Sequence, residues 1–200
     1  MTLRIAELAS PVGPLVVALA PGPRAPVVAL AFADAWPRLR PRLAARTGTD
    51  PDSWRAAHST TDPARRLRDY FAGDLRALDP IDVDLGGTAF QRSVWLALRR
   101  IRPGRTAAYA DVARFIGNPG AVRAVGLANG ANPVCLVVPC HRIVASGGGL
   151  GGYGGGLDRK LWLLRHEGAI AHADAGSDRP PSPGKRPVAR EKRRAVPSRG

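Results

Sequence analysis

The spacing of hydrophobic positions changes twice along the chain. Residues 3–8, Leu15–Leu19 and Val27–Phe32 are short apolar stretches separated by the turn-forming clusters Ser10-Pro11-Val12-Gly13-Pro14 and Pro21-Gly22-Pro23. Such stretches predict strands. From Trp36 the spacing becomes helical. Leu39, Leu43 and Ala44 predict a helix over 36–46, and Leu67, Tyr70 and Phe71 predict another over 62–75, with Asp62 as its cap and Pro63 at its first helical position. Residues 79–85 alternate as a strand or an extended linker would.

Beyond Gly86-Gly87 the pattern is mainly helical. Thr88 is placed to cap a helix through Phe90, Val94, Trp95, Leu98 and Ile101 that stops at Pro103-Gly104. Two short helices, 109–116 and 121–128, flank the turn Gly117-Asn118-Pro119-Gly120. That pairing is the pattern of a helix-turn-helix, although most such pairs are packing units. Residues 132–138 form an apolar run that reads as a strand, a glycine-rich loop covers 147–156, and a last helix, Leu157–His166, closes on Glu167-Gly168. After about residue 170 periodicity is lost. The expectation is a small α+β domain over 1–85, a mainly α, helix-turn-helix domain of winged-helix-like form over 86–170, and a disordered basic tail over 171–200.

A chain of 200 residues with 44% apolar and 23% charged residues can bury a real core without staples. No apolar run approaches the roughly 18–20 residues of a membrane span, and the N-terminus lacks a basic segment ahead of a long apolar one. A cytoplasmic protein with no membrane partner is expected. Two cysteines, Cys135 and Cys140, are too few for a disulfide framework. The net charge of +14 is uneven: +1 over residues 1–85, where eleven basic residues meet ten acidic ones, +8 over 86–170 and +5 over 171–200. A basic middle segment points to an anionic partner, with nucleic acid ahead of a merely solvated basic surface.

The candidate chemistry lies in Pro139-Cys140-His141-Arg142-Ile143-Val144. A thiol becomes a useful nucleophile as the thiolate, which a neighbouring imidazole or cation favours. Glu167 is a candidate to orient His141. The plainer alternative is a small buried cysteine beside a surface histidine. Cys135, Cys140 and His141 lack paired metal-ligand spacing, so neither a metal nor a cofactor is expected.

Six segments together resemble the O6-alkylguanine-DNA alkyltransferases, the methylated-DNA–protein-cysteine methyltransferases. They are GTAFQRSVW at 87–95, TAAYADVA at 106–113, GNPGAVRAVGLANGANP at 117–133, PCHRIV at 139–144, GYGGGL at 152–157 and KLWLLRHEG at 160–168. Residues 1–85 resemble the family's variable N-terminal domain only in size and layout. The resemblance implies that Cys140 is the alkyl acceptor, that His141 acts on it through a water, and that Glu167 orients His141. It further implies that Asn132 joins this network and that Tyr109 donates to N3 of a flipped guanine. Arg123 would fill the gap left in the duplex, while Ala121, Ala124 and Gly126 would let the helix lie close in the minor groove of double-stranded DNA. Tyr153, Gly154 and Ile143 would wall the base pocket. The resemblance also implies that the protein works once per molecule, as a monomer.

This chain departs from the pattern at Gly154, where some members carry serine, so only a backbone contact is open there. At position 108, where serine is frequent, it has Ala108, and its N-terminal region has no cysteine. Two other classes compete: an alkyltransferase-like lesion-binding protein, against which the presence of Cys140 argues, and a Cys-His hydrolase, which the basic middle segment does not support.

Overall fold

The computed structural model describes residues 2–58, 61–147 and 149–171. Strands β1 (Arg4–Leu8), β2 (Leu15–Leu19) and β3 (Val27–Phe32) form an antiparallel meander, with Arg4 opposite Leu19 and Leu15 opposite Phe32. Every residue of β2 and β3 is buried, which is why both read as continuous apolar runs rather than alternating ones. Ala18, Val28 and Ala29 face a small cluster with Leu43, under helix α1 (Trp36–Thr47). Val17, Leu19, Val27, Leu30 and Phe32 face the main core. Gly48, left-handed at φ +61°, ends α1. A two-residue strand, β4 (Arg55–Ala56), joins β1 in parallel and gives the order β3-β2-β1-β4.

Helix α2 (Asp62–Phe71) departs from expectation at both ends. Thr61 occupies the cap position, and Asp62 sits in the first turn, where its carboxylate pairs with Arg65 and Arg66. The helix stops at Phe71, and Leu75 lies in the turns that follow Gly73, whose φ of +113° suits glycine. Thr88 caps α3 (Ala89–Leu98) in a reciprocal capping box with Gln91. The chain continues through β5 (Ala107–Ala108), α4 (Tyr109–Phe115), α5 (Val122–Gly130), β6 (Ile143–Val144) and α6 (Leu157–His166), with β5 and β6 paired in parallel. Trp95 of α3 donates its Nε1–H to Ala128 O of α5 at 2.8 Å, tying the helices together.

The run 132–138 is not a strand. It makes single bridges, Val134 to Leu30 and Cys135 to Val138, and turns back on itself with Leu136 at φ +68°. Asn132 holds the turn: its amide Nδ2 donates to Val138 O at 2.8 Å and its Oδ1 accepts from Val134 N–H at 3.0 Å. Apolar content alone does not separate such a compact loop from a strand. Likewise 79–85 makes one bridge, Val83 to Val27. Residues of β1–β3, α2, α3, α4, α5 and α6 share one core that also holds Cys140 and Ile143. The expected basic tail, from residue 172 onward, lies outside the described residues. Among them, no helix is long and apolar enough to cross a membrane. The fold is therefore mixed α and β, a small sheet with six α-helices among the described residues.

Candidate active site

Cys140 opens a single 3-10 turn, Cys140–Arg142, directly after the Asn132-held loop. It borders a cleft of about 770 Å³. The cleft runs between α1 and β3 on one side and α5, the 131–135 loop and the glycine-rich loop on the other. Burial pushes the Cys140 thiol up, but three donors work against it: the Asn132 amide and the backbone N–H groups of Cys140 and His141. Lys160 adds a favourable charge. The sulfur thus sits where a thiol is stable at rest and a thiolate finds hydrogen bonds.

His141 is fully buried, and its Nε2 lies 2.9 Å from Glu167 Oε1. A carboxylate only accepts, so Nε2 carries the proton. That leaves Nδ1 as a bare lone pair, buried and without a hydrogen-bond partner among the described residues. Burial lowers the His141 pKa, partly offset by Glu167, so the ring rests neutral and able to take a proton. Burial alone would raise Glu167, yet the hydrogen bonds and charges of His141 and Arg142 hold its carboxyl well below the usual carboxylate range.

The Glu167 carboxylate is held on every side. Arg142 grips both oxygens, Nε to Oε2 and Nη2 to Oε1, each at 2.8 Å. Tyr70 Oη donates to Oε1 at 2.7 Å. Arg142 also donates to Ile101 O. This bidentate clamp fixes the carboxylate plane and with it the imidazole. The ring of Tyr153 stands edge-on to His141, centroids 6.5 Å apart, and edge-on to Phe32 at 6.3 Å. Its buried hydroxyl has no partner among the described residues.

Two basic residues of α6 shape the glycine-rich loop. Lys160, fully buried, donates to the carbonyls of Ile143, Leu150 and Gly152. Arg159 donates to Val12 O at 2.8 Å and Gly155 O at 3.1 Å, pairs with Asp34 at 2.8 Å, and lies 4.3 Å above the Phe32 ring. It thereby pins the loop to the sheet. At Gly155 a Cβ would fall 2.5 Å from Phe32 and 2.7 Å from Tyr153, so glycine is what lets the loop close against both rings.

The structure brings Cys140, Tyr109, Asn132, Gly126, Tyr153 and Gly154 to the cleft. It sets His141 and Glu167 together, buried beside Cys140. Arg123 and Ala124 are exposed on α5, and neither they nor Ala121 line the cleft. Ile143 does not line it either. Its side chain is fully buried in the core because β6 pairs with β5 and points it inward, and its contribution is the carbonyl that Lys160 holds. A Cβ at Gly126 would meet the Tyr109 ring at an ordinary 3.9 Å, so that contact does not demand glycine.

Sequence reading missed Tyr70, Arg142, Arg159 and Lys160. Arg142 stands two positions after Cys140 in the segment PCHRIV, which was a usable signal. Tyr70 reaches Glu167 across 97 positions of chain and gave none.

The profile of the family described as 6-O-methylguanine DNA methyltransferase, DNA binding domain, matches residues 89–169. A Salmonella typhimurium methylated-DNA–protein-cysteine methyltransferase is 53% identical over 115 residues, which is 56% of this chain and 67% of that one. A Mycobacterium tuberculosis protein of the same name is 50% identical over 123 residues, 58% of this chain and 74% of its own. This chain belongs to the methylated-DNA–protein-cysteine methyltransferase family. Its fold is similar to that of the Mycobacterium tuberculosis O6-methylguanine methyltransferase, with a TM-score of 0.65 and 37% identity over 86% of this chain and 97% of that one. The crystal structure of the Mycobacterium tuberculosis protein in complex with DNA gives a TM-score of 0.66 and 36% identity, over 83% of this chain and 93% of that one. Family membership and the Cys140 cleft thus meet in the same residues.

Proposed function

We propose that this protein repairs alkylated DNA by moving an alkyl group from O6 of guanine to Cys140, once per molecule. The observation that carries this reading is the buried relay Glu167–His141 beside a cleft-lining thiol, with His141 Nδ1 bare. His141 takes the Cys140 proton through a bridging water. The thiolate Sγ attacks the alkyl carbon, the S–C bond forms as the C–O6 bond breaks, and the electron pair passes into guanine. Tyr109 supplies a proton at N3, so the base leaves neutral. Burial raises the Tyr109 pKa, with Cys140 adding to the effect, which keeps the phenol protonated until that moment. The product is a thioether, with no step that restores the thiol, hence a single turnover.

A base inside a duplex cannot reach such a cleft, so the alkylated nucleotide is flipped out, at a cost of a few kcal/mol. Helix α5 is the element suited to this. It presents Arg123 beside small Ala124, and Leu127 is 78% exposed on the next turn. A helix with a small-residue face and an exposed apolar side chain suits the minor groove, where apolar wedges unstack base steps. Residues 1–85 and 86–170 act as two domains of a monomer, the first bracing the cleft and the second carrying the helix-turn-helix and the nucleophile.

Arg123→Ala separates flipping from chemistry. Transfer from duplex O6-methylguanine should slow by about 10²-fold, in the range of a few kcal/mol for unstacking, while transfer from free O6-benzylguanine keeps its rate. Equal losses on both would place Arg123 in the fold or the thiolate environment and overturn its role.

A further inference from the structure

Helix α1 carries arginines at 38, 42 and 46, four residues apart and so on one face. All three line the Cys140 cleft. Arg46 is committed to the fold: it donates to Val28 O at 2.7 Å and to Asp84 O at 3.0 Å. Arg40, on another face of the helix, pairs with Asp52 at 2.8 Å and stacks over Trp54. Arg38 and Arg42 are different. Both are exposed, and neither makes an ion pair or side-chain hydrogen bond among the described residues. The cleft they border has no carboxylate among its lining residues. Two unpaired guanidinium groups on an acid-free wall form a site for an anion.

We infer that Arg38 and Arg42 bind the phosphates flanking the extruded nucleotide, so that α1 is the second jaw of the DNA site, opposite α5. This rests on the reading of Cys140 as acceptor of an alkyl group from a flipped base. A nucleotide swung out of the duplex brings its own 5′ and 3′ phosphates to the mouth of the pocket that takes its base. The cleft, at about 770 Å³, is large enough to take a drug-sized group whole. Helix α1 and, on α5, Gly126, Asn129 and Gly130 line the same cleft. Arginine is suited to the task because its planar fork meets phosphate oxygens bidentately.

The test is fluorescence anisotropy of the full chain on a labelled duplex carrying one O6-methylguanine, across a salt series. Each phosphate contact contributes about 0.9 to the slope of log affinity against log salt, so Arg38→Ala/Arg42→Ala should lower the slope by about 1.8. Arg40→Ala, whose charge is already paired, should leave it unchanged. On a duplex whose two flanking phosphates are methylphosphonates, wild type and double variant should bind alike. An unchanged slope in the double variant, an equal loss in Arg40→Ala, or a persisting difference on the methylphosphonate duplex would each overturn the assignment. Transfer from free O6-benzylguanine to wild-type Cys140 checks the underlying reading separately. An adduct with no slope change leaves the chemistry standing and removes the second jaw, whereas no adduct at all removes the reading beneath it.

Discussion

Glu167 concentrates more of the site's electrostatics than any neighbour, since it accepts from His141, Arg142 and Tyr70 at once. Glu167→Gln removes the charge while keeping the shape. Arg142 is then a buried cation without a counter-charge, a change that typically costs about 3–5 kcal/mol. For a chain of this size that lowers the Tm by on the order of 10 °C. The imidazole also loses the acceptor that fixes its proton on Nε2, so benzyl transfer at neutral pH should slow. Raising the pH should restore part of the rate, because hydroxide then does the work of His141. Thermal melting with a pH–rate profile checks both. A variant that melts like wild type, or whose rate deficit is independent of pH, would show that Glu167 does not orient the base. At this scale the grouping of Cys140, His141 and Glu167 was legible in the sequence, because short motifs keep such groups adjacent or at a helix end. Tyr70 was not, since a contact between an N-terminal helix and the last turn of α6 leaves no local pattern.

Elements carry the site through α6 and the loop ahead of it. Lys160 gives its three ammonium protons to backbone carbonyls that have turned inward, and burial lowers its pKa, with Cys140 opposing. Lys160→Met keeps the length of the side chain but leaves those carbonyls unpaired, at about 1–3 kcal/mol for each buried group. The expected result is faster amide exchange across residues 149–156 and slower transfer, with α3 and β1–β3 unaffected. Exchange that is unchanged in the loop would show that Arg159 and Gly155 suffice to hold it. The strands and most helices followed from periodicity because each has a regular face to bury. The 132–138 loop did not, as its shape comes from the Asn132 side chain and the left-handed Leu136 rather than from any repeat. The β5–β6 pair is two residues long on each side and too short to leave a pattern. The same shortness hid β4.

For the whole molecule, the buried ionisable groups set the response to pH. His141 and Glu167 both have folded pKa values below their unfolded ones. The unfolded chain therefore binds more protons than the folded one in acid, and stability falls as the pH falls. The His141 contribution is complete above about pH 6.5 and declines below it; the Glu167 contribution is complete above about pH 4.3 and is lost further down. Chemical denaturation from pH 8 to pH 4 should show decreasing stability throughout, and Glu167→Gln should lack the lower part of the decline. A maximum near pH 5 would contradict the assigned protonation states. The cleft itself depends on both halves of the chain, since Arg159 joins α6 to Val12 and Asp34 while α1 supplies the opposite wall. Residues 1–85 therefore supply part of the wall of the cleft that Cys140 borders.

The alkyl acceptor is the claim on which the rest depends, and peptide mass spectrometry after incubation with a duplex containing one O6-methylguanine addresses it most directly. One equivalent of DNA should add a single methyl, an increase of about 14 Da, to the Cys140 side chain and nothing to Cys135. The fraction modified should saturate at one per chain, and Cys140→Ser should stay unmodified while still binding the duplex. An adduct on Cys135, or binding without any adduct on the wild-type chain, would contradict it.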